Sequence, residues 1–291
     1  MTLEELQRLL KKYHLKANHT LGQHFLLDDS VLDQMTEAAD VGPNDTVLEV
    51  GPGVGNLTAR LARTGARVIA VEKDRSFEAL LTETAGRYPN IELHFADILQ
   101  LNLEKVLLNV ATADVPHFGY KVVANLPYYL TGVFMQRVLR QSPRPSNVTV
   151  LIQREVAENM VAPPGKMNLL ALSVQLVGMP RIVTPVPARS FFPAPKVESA
   201  VITVDIPSTP LYPGVDERQV FRVAKACFSG KRKQIHNTLA HNLGLSHNIV
   251  EDVLAKAGLS GATRPQHLSI AEFIRLARAV EDLLPDVNGP R

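Results

Sequence analysis

From residue 46 to residue 153, short apolar runs alternate with amphipathic segments. "TVLEV" (46–50), "RVIAVE" (67–72), "IELHFAD" (91–97), "YKVVAN" (120–125) and "NVTVLIQ" (147–153) have the length and composition of strands. Between them, "NLTARLARTG" (56–65) and "RSFEALLTETAG" (75–86) read as helices closed by glycine, and a further helix is predicted from Thr131 to Arg140. An earlier helix is predicted over 28–40, where Val31, Leu32, Met35 and Ala39 recur at helical spacing behind an Asp/Ser start. Strands that are nearly all apolar, alternating with helices, specify a parallel sheet covered on both faces.

After residue 180 the pattern changes. Runs at 181–186 and 197–205 flank a proline-rich loop and read as a hairpin added to the sheet edge, where proline is tolerated. "PSTPLYPG" (207–214) has linker composition, and 216–284 read as four short helices. Two domains are expected, 1–207 and 208–291, the first carrying an N-terminal amphipathic helix in "MTLEELQRLLKKYHLK". That helix lacks the apolar centre of a signal peptide, and no apolar run reaches membrane-spanning length.

Composition adds little until it is mapped. A 45% hydrophobic and 21% charged chain with one cysteine, Cys227, fits a globular protein of a reducing compartment, so a cytoplasmic location is expected. Net charge is only +2, yet Arg218–Val250 holds six Lys or Arg and no acid, with Lys231, Arg232 and Lys233 consecutive. Such a patch suits either a solvated helix face or a phosphate backbone. The nine histidines form no H-E-x-x-H pattern and there is no cysteine pair, so no metal is expected.

Candidate chemistry lies at the strand ends. "VGPGVGNLT" places Gly51, Gly53 and Gly55 between the first strand and its helix, as a loop that lets a ligand approach backbone closely. Its G-x-G-x-G spacing differs from the dinucleotide fingerprint. Glu72 closes the second strand, where an acid takes ribose hydroxyls, and Asp97 closes the third, where an acid accepts from an adenine amine. With no Lys or Arg in the glycine loop, the set suits a ligand with ribose and adenine but no phosphate: S-adenosylmethionine. The fourth strand ends in Asn125-Leu126-Pro127-Tyr128. Adenine's exocyclic amine is a poor nucleophile, and methylating it requires two acceptors for its protons. The Asn125 side-chain oxygen and the Leu126 carbonyl, held outward by Pro127, supply them, and Tyr128 offers a face for a base taken out of its stack.

The chain resembles the ribosomal RNA adenine dimethyltransferase family, in its housekeeping small-subunit branch. The blocks run nearly end to end: "HTLGQHFLLDD" (19–29), "VLEVGPGVGNLT", "ADIL", "VVANLPY", "LIQREVAENM" (151–160), "SFFPAPKVESAV" (190–201), "CFSGKRKQIHNTL" (227–239) and "RPQHLS" (264–269). The resemblance implies a Rossmann-like class I S-adenosylmethionine-dependent methyltransferase: α/β, a mostly parallel sheet with an edge hairpin, plus a small all-α C-terminal domain that recognises RNA. It further implies dimethylation of two adjacent adenosines in the 3'-terminal hairpin of 16S rRNA within an assembling small subunit, by a monomer. Carried across, His24, Leu26, Gly51, Gly53, Glu72, Asp97 and Asn125 would line the cofactor. Asn125, Leu126, Pro127 and Tyr128 would hold the target base, with Phe191 as its second aromatic wall. Lys196, Lys231, Arg232 and Lys233 would face RNA. The chain departs from the family with His at 24, where many relatives have Asn, and with Asn159 where a basic residue is usual.

Three other readings compete. Large-subunit (23S) adenine methyltransferases share the cofactor blocks, but "GKRKQIHNTL" and "RPQHLS" resemble the small-subunit branch. A non-catalytic assembly or transcription factor would not need an intact "NLPY", Glu72 and Asp97. A dinucleotide-dependent oxidoreductase would call for a different glycine spacing.

Overall fold

The computed structural model describes residues 1–18, 22–108, 119–230 and 233–283. In chain order the strands are β1 (Phe25–Leu26), β2 (Thr46–Val50), β3 (Arg67–Glu72), β4 (Ile91–Phe95), β5 (Tyr120–Asn125), β6 (Asn147–Gln153), β7 (Met179–Val186), β8 (Phe191–Phe192) and β9 (Ser199–Asp205). The helices before the second half of the sheet are α1 (Leu3–Lys12), α2 (Asp29–Ala38), α3 (Asn56–Arg63), α4 (Glu78–Ala85), α5 (Leu103–Leu108) and α6 (Thr131–Arg140). The later ones are α7 (Arg154–Met160), α8 (Leu169–Gln175), α9 (Glu217–Phe228), α10 (Ile235–Leu243), α11 (His247–Ala257) and α12 (Ile270–Leu283).

Seven strands form one sheet in the order β4-β3-β2-β5-β6-β9-β7. The first five are parallel, and β9 and β7 join antiparallel. Leu48 of β2 stands opposite Ile69 of β3 and Val122 of β5, all fully buried, which is why these strands read as continuous apolar runs. The expected edge hairpin is present, and Pro180 and Pro185 lie on β7, the edge strand, where a missing N–H does least harm. The third predicted strand stops at Phe95, so Asp97 lies just beyond its end.

Chain order reverses at β2. Its helix leads to β3 on one side, whereas β5 lies on the other. Open α/β sheets bind ligands in the crevice outside the strand C-termini at such a switch point. Here the glycine loop after β2 and "NLPY" after β5 meet at that crevice.

Two compact units make up the chain: Met1–Ala157 with Met179–Ser208, and Glu158–Gly178 with the chain from Thr209 onward. The sequence reading placed 158–178 inside 1–207. In the structure these residues belong to the helical unit: the Gly165 and Met167 N–H groups both donate to the Gln266 carbonyl, at 2.8 and 3.2 Å, tying "GKM" to "RPQHLS". Within the same unit α9 packs on α10 and α12, and Phe228 meets Phe273 with ring centroids 5.6 Å apart.

Candidate active site

The glycine loop is built by backbone geometry. Gly51, Gly53 and Gly55 all have positive φ (71°, 55° and 79°), a region costly for residues with a Cβ. Gly55 caps α3 without a side-chain hydrogen bond, and the loop brings the start of that helix, where Asn56 Oδ1 accepts from the Leu57 N–H at 3.0 Å, to the crevice. Glu72 holds the loop from the neighbouring strand end. Its Oε2 accepts from the Gly53 N–H at 3.0 Å and its Oε1 from the Asp74 N–H at 2.8 Å. Burial pushes this carboxyl up, against the two backbone donors. Each oxygen retains lone pairs for a further donor.

Three acids gather around the same cleft. Asp97 Oδ1 accepts from the Leu99 N–H at 2.9 Å, and its Oδ2 pairs with Lys73 Nζ at 2.9 Å, which holds the carboxyl below its usual range. Lys73 was not among the residues expected at the site. Glu49, on β2, is only 1% exposed. Neither its Oε2 nor the Thr58 hydroxyl finds a hydrogen-bond partner among the described residues. Burial pushes Glu49 up to about 8; the nearby Thr58 hydroxyl opposes the rise and the Glu72 charge adds to it.

That shift has a testable sign. Between the ordinary value of 4.5 and about 8 the folded chain retains a proton that the unfolded chain releases. The group's contribution to stability is therefore complete at low pH and declines as pH rises through this window. Glu49→Gln, neutral throughout, is expected to flatten the fall of Tm with pH over that range. Parallel curves for the two proteins would contradict the assignment.

On the other side of the cleft stands "NLPYY". The Asn125 Nδ2 donates to the His24 carbonyl at 3.2 Å. This contact fixes the amide orientation, because only the nitrogen can meet a carbonyl. Its Oδ1, like the Leu126 carbonyl, receives no hydrogen bond among the described residues. The Tyr128 hydroxyl exchanges a 2.8 Å hydrogen bond with Ser199 Oγ, and burial raises its pKa, so it stays a neutral phenol. Its ring stacks on His24 with centroids 5.8 Å apart and planes at 26°.

His24 is tied by Nδ1 to the Pro193 carbonyl at 2.6 Å, a contact that requires the proton on Nδ1. The antiparallel pair β1–β8 sets Leu26 opposite Phe191, so "HFL" and "FFPAP" reach the cleft together. A ladder of two residues is too short to leave an alternation in the sequence. Asn56 Nδ2 locks it to the start of α3 through the Leu26 carbonyl at 2.7 Å. Gln23, which donates to Asp74 at 2.9 Å, does the same from the other end. Both residues escaped notice because their partners are far away in sequence.

His24, Leu26, Gly51, Gly53, Glu72, Asp97, Asn125, Leu126, Pro127, Tyr128 and Phe191 thus line one cleft of about 1130 Å³, open solvent included. Its polar lining is dominated by acceptors. Lys196 is exposed, away from the lining, and Lys233 is exposed in the helical unit. Lys231 and Arg232 lie outside the described residues. His241 is exposed, whereas His236 is half-buried and stacked on His247 at 4.9 Å. Among the described residues no group of three or more His, Cys, Asp or Glu could hold a metal, and no helix is long and apolar enough to cross a membrane.

A doubly wound sheet with a glycine loop, an acid after each of two neighbouring strands and an amide at the switch point is the Rossmann-like fold of S-adenosylmethionine-dependent methyltransferases. Comparison narrows the class. The family model described as ribosomal RNA adenine dimethylase matches residues 14–282. "Ribosomal RNA small subunit methyltransferase A" of Dehalococcoides mccartyi (strain CBDB1) is 42% identical over 274 residues, covering 94% of this chain and 92% of its own. The protein of that name from Alkaliphilus oremlandii (strain OhILAs) is 37% identical over 277 residues, covering 94% and 95%. Among solved structures, 23S rRNA methyltransferase ErmE superposes with a TM-score of 0.67 at 27% identity, over 88% of this chain and 99% of its own. A dimethyladenosine transferase from Plasmodium falciparum shares the fold with a TM-score of 0.74 at 24% identity, over 89% and 98%. The chain belongs to the ribosomal RNA adenine dimethylase family.

Proposed function

We propose that this enzyme transfers methyl groups from S-adenosylmethionine to the exocyclic amines of two adjacent adenosines in the 3'-terminal hairpin of 16S rRNA. It would do so in the cytoplasm, as a monomer, on assembling small subunits. The observation that carries this reading is the pair of unengaged acceptors, Asn125 Oδ1 and the Leu126 carbonyl, across the cleft from Glu72 and the glycine loop.

The cleft fits the cofactor. Ribose hydroxyls, an adenine amine and an ammonium are all donors, and Glu72 and Asp97 are acceptors. Glu72 would hold the ribose, Asp97 the adenine amine, and the positive-φ turn at Gly51 and Gly53 would lie against the chain of the molecule. His24 and Leu26 would close the cleft from above. When bound, the cofactor supplies an electrophilic methyl on a sulfonium.

The chain's own residues prepare the nucleophile. Asn125 Oδ1 and the Leu126 carbonyl accept hydrogen bonds from the two amine protons and draw the nitrogen toward a tetrahedral shape; as the N–C bond forms and the methyl–sulfur bond breaks, the nitrogen gives up one proton to solvent. Pro127 fixes φ at this turn and leaves no N–H of its own to be satisfied there. Tyr128, locked by Ser199 and His24, stacks one face of the extruded adenine, and Phe191 walls the other. No side chain need become charged, and no covalent enzyme intermediate forms. Catalysis is orientation and fixed dipoles.

Small-subunit specificity is favoured by the names of the more similar relatives over the more distant ErmE. It is tested by offering labelled S-adenosylmethionine with small and large subunits together. Label in the small-subunit RNA supports the reading, and label in large-subunit RNA alone moves the enzyme to the other branch. RNA would be engaged by Lys196 and by the basic run of the helical unit, where Arg218, Lys225 and Lys233 are exposed. Replacing Lys231, Arg232 and Lys233 together is expected to weaken RNA binding and to lower the slope of log K against log salt by about 2 to 3. An unchanged slope would remove the patch from the interface.

A further inference from the structure

The turn that delivers Tyr128 into the cleft delivers Tyr129 outward. Tyr129 is 56% exposed, yet it also lines the cleft, so it stands at the mouth. Its hydroxyl makes no hydrogen bond among the described residues. The Leu130 N–H donates to the Pro127 carbonyl and the Phe134 N–H to the Leu130 carbonyl, which winds the turn into α6. Val133, one turn after Tyr129, is 55% exposed. Between them Gly132 presents open space where a side chain would stand, and Gly22 lies opposite, its own missing Cβ 3.8 Å from the Tyr129 ring. Tyr129 and Val133 are thus two exposed apolar side chains close in sequence beside the cleft mouth, with glycines that leave the Tyr129 ring accessible.

We propose that Tyr129 is a stacking platform for the nucleotide that flanks the target adenosine in the RNA strand. The inference rests on the function proposed above and extends it beyond the residues that hold the target base. A base extruded into a pocket leaves its sugar-phosphate and neighbouring nucleotides outside. The neighbour of a base held at Tyr128 therefore arrives at the rim, where the adjacent ring waits. Charge does not provide an alternative handle at this place. Lys73 is the one Lys or Arg among the described residues lining the cleft, and it is already paired with Asp97. What the rim offers an RNA strand is the exposed π-face of Tyr129. Such contacts accept any base, which suits an enzyme that must present two adjacent adenosines in turn, each with a different neighbour.

The test is steady-state kinetics on unmethylated small subunits with Tyr129→Ala and Tyr129→Phe, alongside cofactor affinity by calorimetry. Tyr129→Ala is expected to lower kcat/KM about tenfold, mainly through KM for the subunit, since stacking on one aromatic carries an effect of that order. Cofactor affinity stays unchanged, and Tyr129→Phe restores kcat/KM to within about threefold of wild type because the ring, not the hydroxyl, carries the contact. Wild-type kinetics in Tyr129→Ala would overturn the proposal, as would a Phe variant as impaired as the Ala variant. A loss of cofactor affinity in Tyr129→Ala would also overturn it, assigning the ring to the cofactor. Loss of binding to subunits but not to isolated 16S rRNA would assign it to a protein partner instead. A wild-type enzyme that methylates no small-subunit adenosine would instead defeat the proposed function itself, before any variant is compared.

Discussion

Asn125→Ala is expected to fold normally, bind cofactor within about tenfold of wild type and lose about 10²- to 10³-fold in kcat. The asymmetry follows from what the side chain does in the structure. Its one internal contact is the 3.2 Å hydrogen bond to the His24 carbonyl, so its removal costs about 1 kcal/mol of stability. Its Oδ1, by contrast, is proposed as one of two acceptors that meet the protons of an adenine amine. Without it the nitrogen lone pair stays delocalised in the ring, and the Leu126 carbonyl alone cannot orient the amine. The variant is checked by single-turnover methyl transfer together with a melting curve. Near-wild-type turnover in a folded variant would remove Asn125 from the chemistry.

The second large effect is on cofactor binding. In the proposed binding mode Glu72→Ala removes an acceptor for the ribose hydroxyls, and it also frees the Gly53 and Asp74 N–H groups that the carboxylate now holds at 3.0 and 2.8 Å. Hydrogen bonds to a charged group contribute about 1.5–3 kcal/mol each, and losing the two proposed to the ribose hydroxyls corresponds to at least a 10²-fold rise in Kd. Calorimetric titration with S-adenosylmethionine checks this. Glu72→Gln keeps one carbonyl oxygen but places a donor where the second oxygen faced an N–H, so its Kd is expected to fall between those of wild type and Glu72→Ala. Equal affinity in all three proteins would mean that the cofactor does not meet the end of β3.

The parts of this site that were legible in sequence are those written by local rules. Apolar runs gave the strands β2 to β6, and glycines between strand and helix gave the loop whose positive φ values the structure shows. "NLPY" drew attention because an amide, a proline and a phenol have no reason to end a buried strand unless they do something there. The parts that were hidden depend on partners distant in the chain. Lys73 meets Asp97, Asn56 meets Leu26 and Gln23 meets Asp74, and no periodicity encodes such meetings. The β1–β8 ladder is two residues long, too short for any alternation to register. Residues 158–178 were assigned to the wrong unit for a related reason. "LLALSVQLVG" is apolar on most sides, so its pattern does not say what it packs against, and only the hydrogen bonds from Gly165 and Met167 to Gln266 reveal the answer. Glu49 is a different case. It precedes the glycine loop in the sequence, but its complete burial, and hence its retained proton, is a property of the packed sheet.

The cleft at the β2–β5 switch point is proposed to dimethylate adenosine on its exocyclic amine, with Asn125 as an acceptor. The most direct measurement incubates wild type and Asn125→Ala with S-adenosylmethionine and unmethylated small subunits, digests the 16S rRNA and quantifies dimethyladenosine by mass spectrometry. The expected result is two adjacent dimethyladenosines per subunit with wild type and close to none with the variant under the same conditions. Methylation at a different atom or nucleotide, or an equal yield from both proteins, would contradict the account.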